Sequence, residues 1–224
     1  PDNVVNYEER ADLYYYLENY ELAERDYKKM IALEEGNMMG YMGLGTIAYE
    51  QKRYTDAIKY FDFVTRLAPN YASGYSSRAE SYIALKDFDK AIEDVIKALD
   101  IDRDRKAFKQ MKFLAVFSNV PLKTKLKIQT TKNPHDFFWQ YCLGVVYEDE
   151  REYHKAIEHY KNSFALYPSG STLARISFCY EALDYFENAL YNINEAISLD
   201  TSDYIYLFRK ANILNELGRK EEAI

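Results

Sequence analysis

The sequence predicts an all-α chain, an α-solenoid of antiparallel helical hairpins stacked one on the next, and three observations carry that prediction. Only 8 Gly and 5 Pro interrupt 224 residues, about half the usual share. That leaves too few turn residues for a sandwich, a barrel or a many-looped α/β enzyme. Apolar residues recur at helical spacing in paired blocks, parted by short polar turns such as Glu50-Gln-Lys-Arg53 and Glu148-Asp-Glu-Arg151. One phrase also returns with a period of 34 residues, the mark of a repeat array. A single hairpin cannot bury its own apolar face, so the units must stack.

The phrase is clearest at Tyr54-Thr-Asp-Ala57-Ile-Lys-Tyr-Phe61 and returns as Phe88-Asp-Lys-Ala91-Ile-Glu-Asp-Val95 and Tyr153-His-Lys-Ala156-Ile-Glu-His-Tyr160. Weaker copies begin at Tyr20 and Phe186, and a truncated one reads Lys220-Glu-Glu-Ala223. The alanines at 23, 57, 91, 156, 189 and 223 are separated by 34, 34, 65, 33 and 34 residues. Twelve residues before each stands a small residue: Ala11, Gly45, Ala79, Gly144, Ser177 and Ala211. Small side chains facing each other let two helices approach at the short end of the interaxial range, and an aromatic four residues after the alanine fills the adjoining space. The chain thus divides into three repeats over 1–105, an irregular basic segment at 106–136, and two repeats plus a half repeat over 137–224. The last unit stops at Ile224, early in its second helix, and the chain starts without Met; both features read as a fragment of a longer array or as a chain trimmed to its ordered part.

The period, together with Leu44-Gly45, Ala57, Phe61 and Pro69, and with Leu143-Gly144, Tyr147, Ala156, Tyr160 and Pro168, resembles the tetratricopeptide repeat. The resemblance implies a right-handed superhelix in which the first helices of successive hairpins line a concave wall. In that family the wall receives an extended peptide or a partner's helix. Carried onto this sequence, it places Glu8, Asp12, Tyr15 and Tyr16 on the wall, then Met42, Thr46 and Tyr49, then Ser76 and Glu80. Tyr141 and Val145, Arg175 and Phe178, and finally Phe208, Arg209 and Asn212 follow. Family members that grip a chaperone's C-terminal carboxylate use a Lys/Asn/Arg clamp. The matching positions here hold Glu8, Asp12, Gly43, Ser73 and Ser77, an acidic wall that repels a carboxylate.

Tyrosine is the odd note in the composition, at 23 of 224 residues. Twelve fall in slots that want a large packing residue: Tyr7, Tyr14, Tyr20, Tyr27, Tyr41, Tyr54, Tyr75, Tyr82, Tyr147, Tyr153, Tyr160 and Tyr180. Tyr15, Tyr16, Tyr49 and Tyr141 remain as wall candidates, where aromatic faces give contact area at low entropic cost and can hold proline or cationic side chains.

Between Arg105 and Pro134 stand eight Lys or Arg and no Asp or Glu, against a net charge of −7 for the chain. Lys106–Phe117 reads as an amphipathic helix. After Pro121, Leu122–Thr130 alternates with period two, and a strand would lack a ladder partner, so 121–133 is expected to be a short irregular helix or an extended crossing. Lys123, Lys125 and Lys127 form a patch for an acidic partner or an anionic membrane surface, unless these lysines of a degenerate repeat only solvate it or pair with the acidic remainder of the chain. Few Arg and no recognition motif argue against nucleic acid.

Catalytic and metal chemistry find no foothold in the pattern. His154 and His159 are five apart, which turns them to different helix faces, and no phosphate loop or nucleophile elbow occurs. Cys142 and Cys179 read as small buried apolar residues. No cofactor, metal or enzymatic activity is expected. No apolar run approaches the ~20 residues that span a bilayer, and the absence of a signal peptide and of a disulfide framework points to a cytoplasmic setting. The expected function is a protein-interaction scaffold. The alternatives are a docking, dimerisation or regulatory segment of a larger enzyme or assembly, and a chaperone or co-chaperone that cradles a client segment. The half repeat leaves Leu207, Ile213, Leu214 and Leu217 without a covering helix, so self-association through that end is also expected.

Overall fold

The computed structural model describes residues 3–103, 105–201 and 203–223. Among them are thirteen α-helices and no strand. The helices are α1 (Val4–Tyr16), α2 (Tyr20–Leu33), α3 (Met38–Glu50), α4 (Tyr54–Leu67), α5 (Ala72–Ala84), α6 (Phe88–Asp102) and α7 (Arg105–Phe117), then α8 (Asn119–Lys132), α9 (Phe137–Asp149), α10 (Tyr153–Leu166), α11 (Gly170–Glu181), α12 (Phe186–Leu199) and α13 (Tyr204–Glu216). A 3-10 turn spans Lys220–Ala223. Ile224, where the truncated repeat stops, lies outside the described residues. The helices gather into two compact units, residues 1–118 and 119–224.

In the first unit α1 pairs with α2, α3 with α4 and α5 with α6, and α7 packs on α6 and α5. In the second, α8 packs on α9, α9 pairs with α10, α11 with α12, and α13 follows on α12. The repeat signature explains the pairing. Ala11, Ala23, Ala57, Ala79, Ala91, Ala156 and Ala189 are fully buried, where any larger side chain would hold the helices apart. The aromatic after the alanine lies directly on the small residue. A Cβ on Gly45 would stand 2.5 Å from the Phe61 ring, and one on Gly144 would stand 2.5 Å from Tyr160. Ser177 adds a bond of its own, its hydroxyl donating to the Ala189 carbonyl at 2.9 Å.

The scarcity of glycine has a local counterpart. Each hairpin turn places one residue in the left-handed region: Glu18, Lys52, Lys86, Arg151 and Asp184, and once a glycine, Gly218. The next N–H reaches back over the turn, as from Asn19 to the Tyr14 carbonyl (2.8 Å), Arg53 to Ala48 (2.8 Å) and Glu152 to Tyr147 (2.9 Å). This bond satisfies a terminal carbonyl of the first helix. Charged residues accept a conformation that glycine adopts without steric cost.

The basic segment departs from expectation. Residues 121–133 are neither irregular nor extended, since α8 runs unbroken through Lys132. Leu122 and Leu126, four apart, are fully buried while Ile128 is exposed, which is a helical and not a period-two pattern. Pro121 sits in the first turn, where a missing N–H removes no intrahelical bond. The segment set apart as 106–136 is shared between the units, α7 packing with the first and α8 with the second.

Candidate functional site

Each unit carries a cleft built from its first helices. In the first unit, α1 contributes Glu8, Asp12, Tyr15 and Tyr16, and α3 contributes Met39, Met42, Gly43 and Thr46; Tyr27 of α2 forms the floor. Six of the predicted wall residues converge here. The half-open space is about 200 Å³, below the 300 Å³ at which drug-sized pockets start and enough for one long side chain. The Tyr27 hydroxyl donates to the Asp12 carboxylate at 2.6 Å, while its ring lies against Gly43. Burial, then that carboxylate, push the Tyr27 hydroxyl above the usual tyrosine range, so it stays a neutral donor. Tyr15 stands edge-on to Tyr16 at 6.0 Å and near Tyr20 at 5.9 Å. Tyr16 is 81% exposed, so its ring forms the outer rim of the cleft. Several other acids of this unit are matched by cations: Asp26 by Arg10, Asp94 and Asp62 by Arg78, Glu80 by Lys106. Among the described residues no Lys or Arg pairs with Glu8 or Asp12.

The second unit's cleft is lined by Glu148, Ser171, Ala174, Arg175, Phe178, Asp203, Ile205, Tyr206 and Arg209, three of them predicted wall residues. Its two arginines are already matched, while Asp203 caps α13 by accepting from the Ile205 N–H at 2.9 Å. Arg175 donates to buried Glu148 at 2.6 Å, and Tyr160 donates to the other oxygen of the same carboxylate at 2.7 Å. Arg209 donates to Glu181 at 2.6 Å and lies over the Phe178 ring at 5.3 Å.

Other predicted wall residues fall elsewhere. Ser76 and Val145 are each 1% exposed and have no face to offer a partner. The Ser76 carbonyl accepts from Gln110 of α7 at 2.8 Å, and Glu80 pairs with Lys106 of the same helix at 2.6 Å. Helix α7 therefore takes up both Ser76 and Glu80, the residues that the third hairpin was expected to present, while Glu80 stays partly exposed. Tyr49 is half-buried 5.4 Å from Tyr54, its hydroxyl pushed up to about 12 by burial and by the Glu80 charge. Tyr141 is half-buried beside Tyr160 at 5.5 Å. Neither lines the two clefts above, although Tyr141 accepts a hydrogen bond from Arg175 at the second. Phe208 and Asn212 are exposed on α13. The basic patch is reduced as well: Lys123 is held by Glu150 at 2.7 Å, while Lys125 and Lys127 are exposed on α8. At the half repeat, Ile213 and Leu214 are buried and Leu207 is exposed. The open apolar surface consists of Tyr204, Ile205, Leu207 and Phe208.

The twelve tyrosines expected to pack are all buried or half-buried. Sequence reasoning missed the part of Tyr27 in the cleft floor, and it missed Glu148 altogether. A signal for Glu148 existed: Glu148 and Glu181 each stand four residues after a small residue, and Arg175 and Arg209 are 34 apart. Both cysteines are fully buried, and burial pushes the Cys179 thiol up to about 12, far from a nucleophile's range. Among the described residues no helix is long and apolar enough to cross a membrane.

Models of the tetratricopeptide repeat match residues 8–72 and 72–105. Superkiller protein 3 of Schizosaccharomyces pombe is 25% identical over 75% of this chain and 13% of its own length. The crystal structure of yeast Tom70 superposes with a TM-score of 0.56 at 20% identity, over 98% of this chain and 48% of that one. At such identity the likeness to Tom70 is one of fold. The chain spans less than half of either protein's length.

Proposed function

We propose that this chain, whose residues 8–105 match models of the tetratricopeptide repeat, is a protein-interaction scaffold that takes an extended segment of a partner protein into the cleft of its first unit. One observation carries the reading: Glu8, Asp12, Tyr15, Tyr16, Met42 and Thr46, distant in sequence, converge on one cavity. Aromatic and thioether surface gives contact area, and the carboxylates fix orientation. The acidic lining speaks against a chaperone's C-terminal carboxylate as the occupant. A cytoplasmic setting and a role as one segment of a larger assembly remain part of the same proposal. Affinity capture with the wild-type chain and a Tyr15→Ala/Tyr16→Ala variant tests it. Partner recovery is expected to fall with helicity unchanged by circular dichroism, and equal recovery by both proteins would refute the cleft assignment.

A second reading rests on α13. Tyr204, Ile205, Leu207 and Phe208 are each more than half exposed, an apolar row of the kind that marks association surfaces. Here the array docks on a second copy of the chain. Sedimentation of the wild type and of Leu207→Ser/Phe208→Ser separates the cases: a dimer that becomes a monomer supports it, and a monomer throughout rejects it.

A further inference from the structure

Resting on the cleft reading above, we infer that the first unit's cavity is a subsite for one cationic side chain, a lysine or arginine of the bound segment. Four features meet there. The space holds about one long side chain. Its walls carry two carboxylates, Glu8 and Asp12, and three phenol rings, Tyr15, Tyr16 and Tyr27. No Lys or Arg lines it. Among the described residues neither carboxylate has a cationic partner, in a molecule whose other cleft pairs both its arginines internally.

The chemistry that suits such a lining is a positive charge on a long apolar stem. The ammonium or guanidinium group lies against the tyrosine rings, whose faces attract cations within ~6 Å, and donates to Asp12 and Glu8 in charge-assisted hydrogen bonds. Tyr27 orients Asp12 by donating to one carboxylate oxygen, Oδ1, which leaves Oδ2 for the ligand. Met39 and Met42 receive the methylene stem. An apolar side chain would leave the carboxylates beside unmatched surface, and an acidic one would be repelled.

The test uses four pools of fluorescent peptides of random sequence, each with its central position fixed as Lys, Arg, Leu or Glu, titrated with the whole chain and read by anisotropy. The Lys and Arg pools are expected to bind about tenfold tighter than the Leu pool, with the Glu pool weakest. Glu8→Gln/Asp12→Asn is expected to abolish the preference. Glu9→Gln/Glu21→Gln, which removes equal charge from exposed acids outside the cleft, is expected to keep it, and circular dichroism confirms that both variants fold. Equal binding of the Lys and Leu pools by the wild type overturns the cationic subsite while leaving the cleft reading standing. Loss of preference in both variants alike also overturns it, by assigning the effect to bulk charge. Failure of every pool to bind overturns both.

Discussion

The two units share a hairpin frame and differ in how they use charge. In the first, cations lock the second helices and the cleft acids are left over: Arg10 grips Asp26 and Arg78 grips Asp94, each pair 16 residues apart within one hairpin. In the second, arginine reaches back from one first helix to the preceding one, Arg175 to Glu148 and Arg209 to Glu181, 27 and 28 residues apart. The first register leaves a cleft whose two acids have no cationic partner among the described residues, and the second pairs both arginines of its cleft with acids of the preceding first helix. Helix approach is set by the small residues and the aromatics that lie on them, so polar positions on the first helices are free to serve either end. The same acid type is therefore structural in one unit and available in the other.

Substituting the cleft acids separates those roles with the largest expected effect. Glu148→Ala leaves Arg175 without its carboxylate and the buried Tyr160 hydroxyl without an acceptor. It should cost about 3 kcal/mol, the low end for breaking a buried pair because Arg175 is partly exposed. Asp12→Ala leaves one hydroxyl at a cleft that water can reach and should cost below about 1 kcal/mol. Urea unfolding measures both. Trp139, the one tryptophan, is buried in the second unit and reports on it by fluorescence, while hydrogen exchange follows the first.

If the frame is common, Gly45→Ala and Gly144→Ala should behave alike. Each new Cβ meets a buried ring at 2.5 Å. Overpacking costs about 2 kcal/mol, against about 1 kcal/mol gained from replacing glycine within a helix. A net loss of about 1 kcal/mol in both proteins is expected, and a loss in one alone would show that the two hairpins are not equivalent. At the turns the sign reverses. Lys86→Gly and Asp184→Gly relieve left-handed backbone at φ 62° and 60° and should stabilise by about 0.5 kcal/mol, since part of the relief is offset by the entropy of a glycine in the unfolded chain.

The frame was legible in the sequence because close helix approach admits few residues: the Ala57 position is always Ala, the Gly45 position is only Gly, Ala or Ser, and the Phe61 position stays large and apolar as Tyr27, Val95, Tyr160 and Ile193. The first cleft was reached through the family resemblance, which sets successive first helices on one wall and so puts Glu8, Asp12 and Met42 on a shared face. Legibility failed where a neighbour lacked the signature. Helix α7 carries no repeat alanine, so its cover over Ser76 and Glu80 could not be read, and Val145 is buried in α9, which is packed by both α8 and α10. Leu122–Thr130 misled because three apolar residues fit period two almost as well as they fit a helix. The Glu148 cluster depends on neighbours 12 and 27 residues away, a match that one helix's periodicity does not contain.

The smallest expected effect follows from the placement of histidine. All three lie in the second unit, at 135, 154 and 159. His159 is half-buried, stacked parallel on Tyr147 at 5.2 Å, with Nδ1 2.8 Å from the Gln140 side-chain oxygen. Burial lowers its pKa from the ordinary histidine value; the Glu158 charge opposes the shift and Lys127 adds to it. A histidine with a depressed folded pKa takes up its proton more readily in the unfolded chain. Its contribution is therefore complete above the unfolded value of about 6.5 and is lost as pH falls from there through the lowered folded value. Urea midpoints read at Trp139 should fall between about pH 7.5 and pH 5.5, and His159→Gln should fall by less. The first unit has no histidine, so its exchange-derived stability should stay level across the same window. An equal fall in the two units would assign the pH dependence to carboxylates common to both and remove His159 from the account.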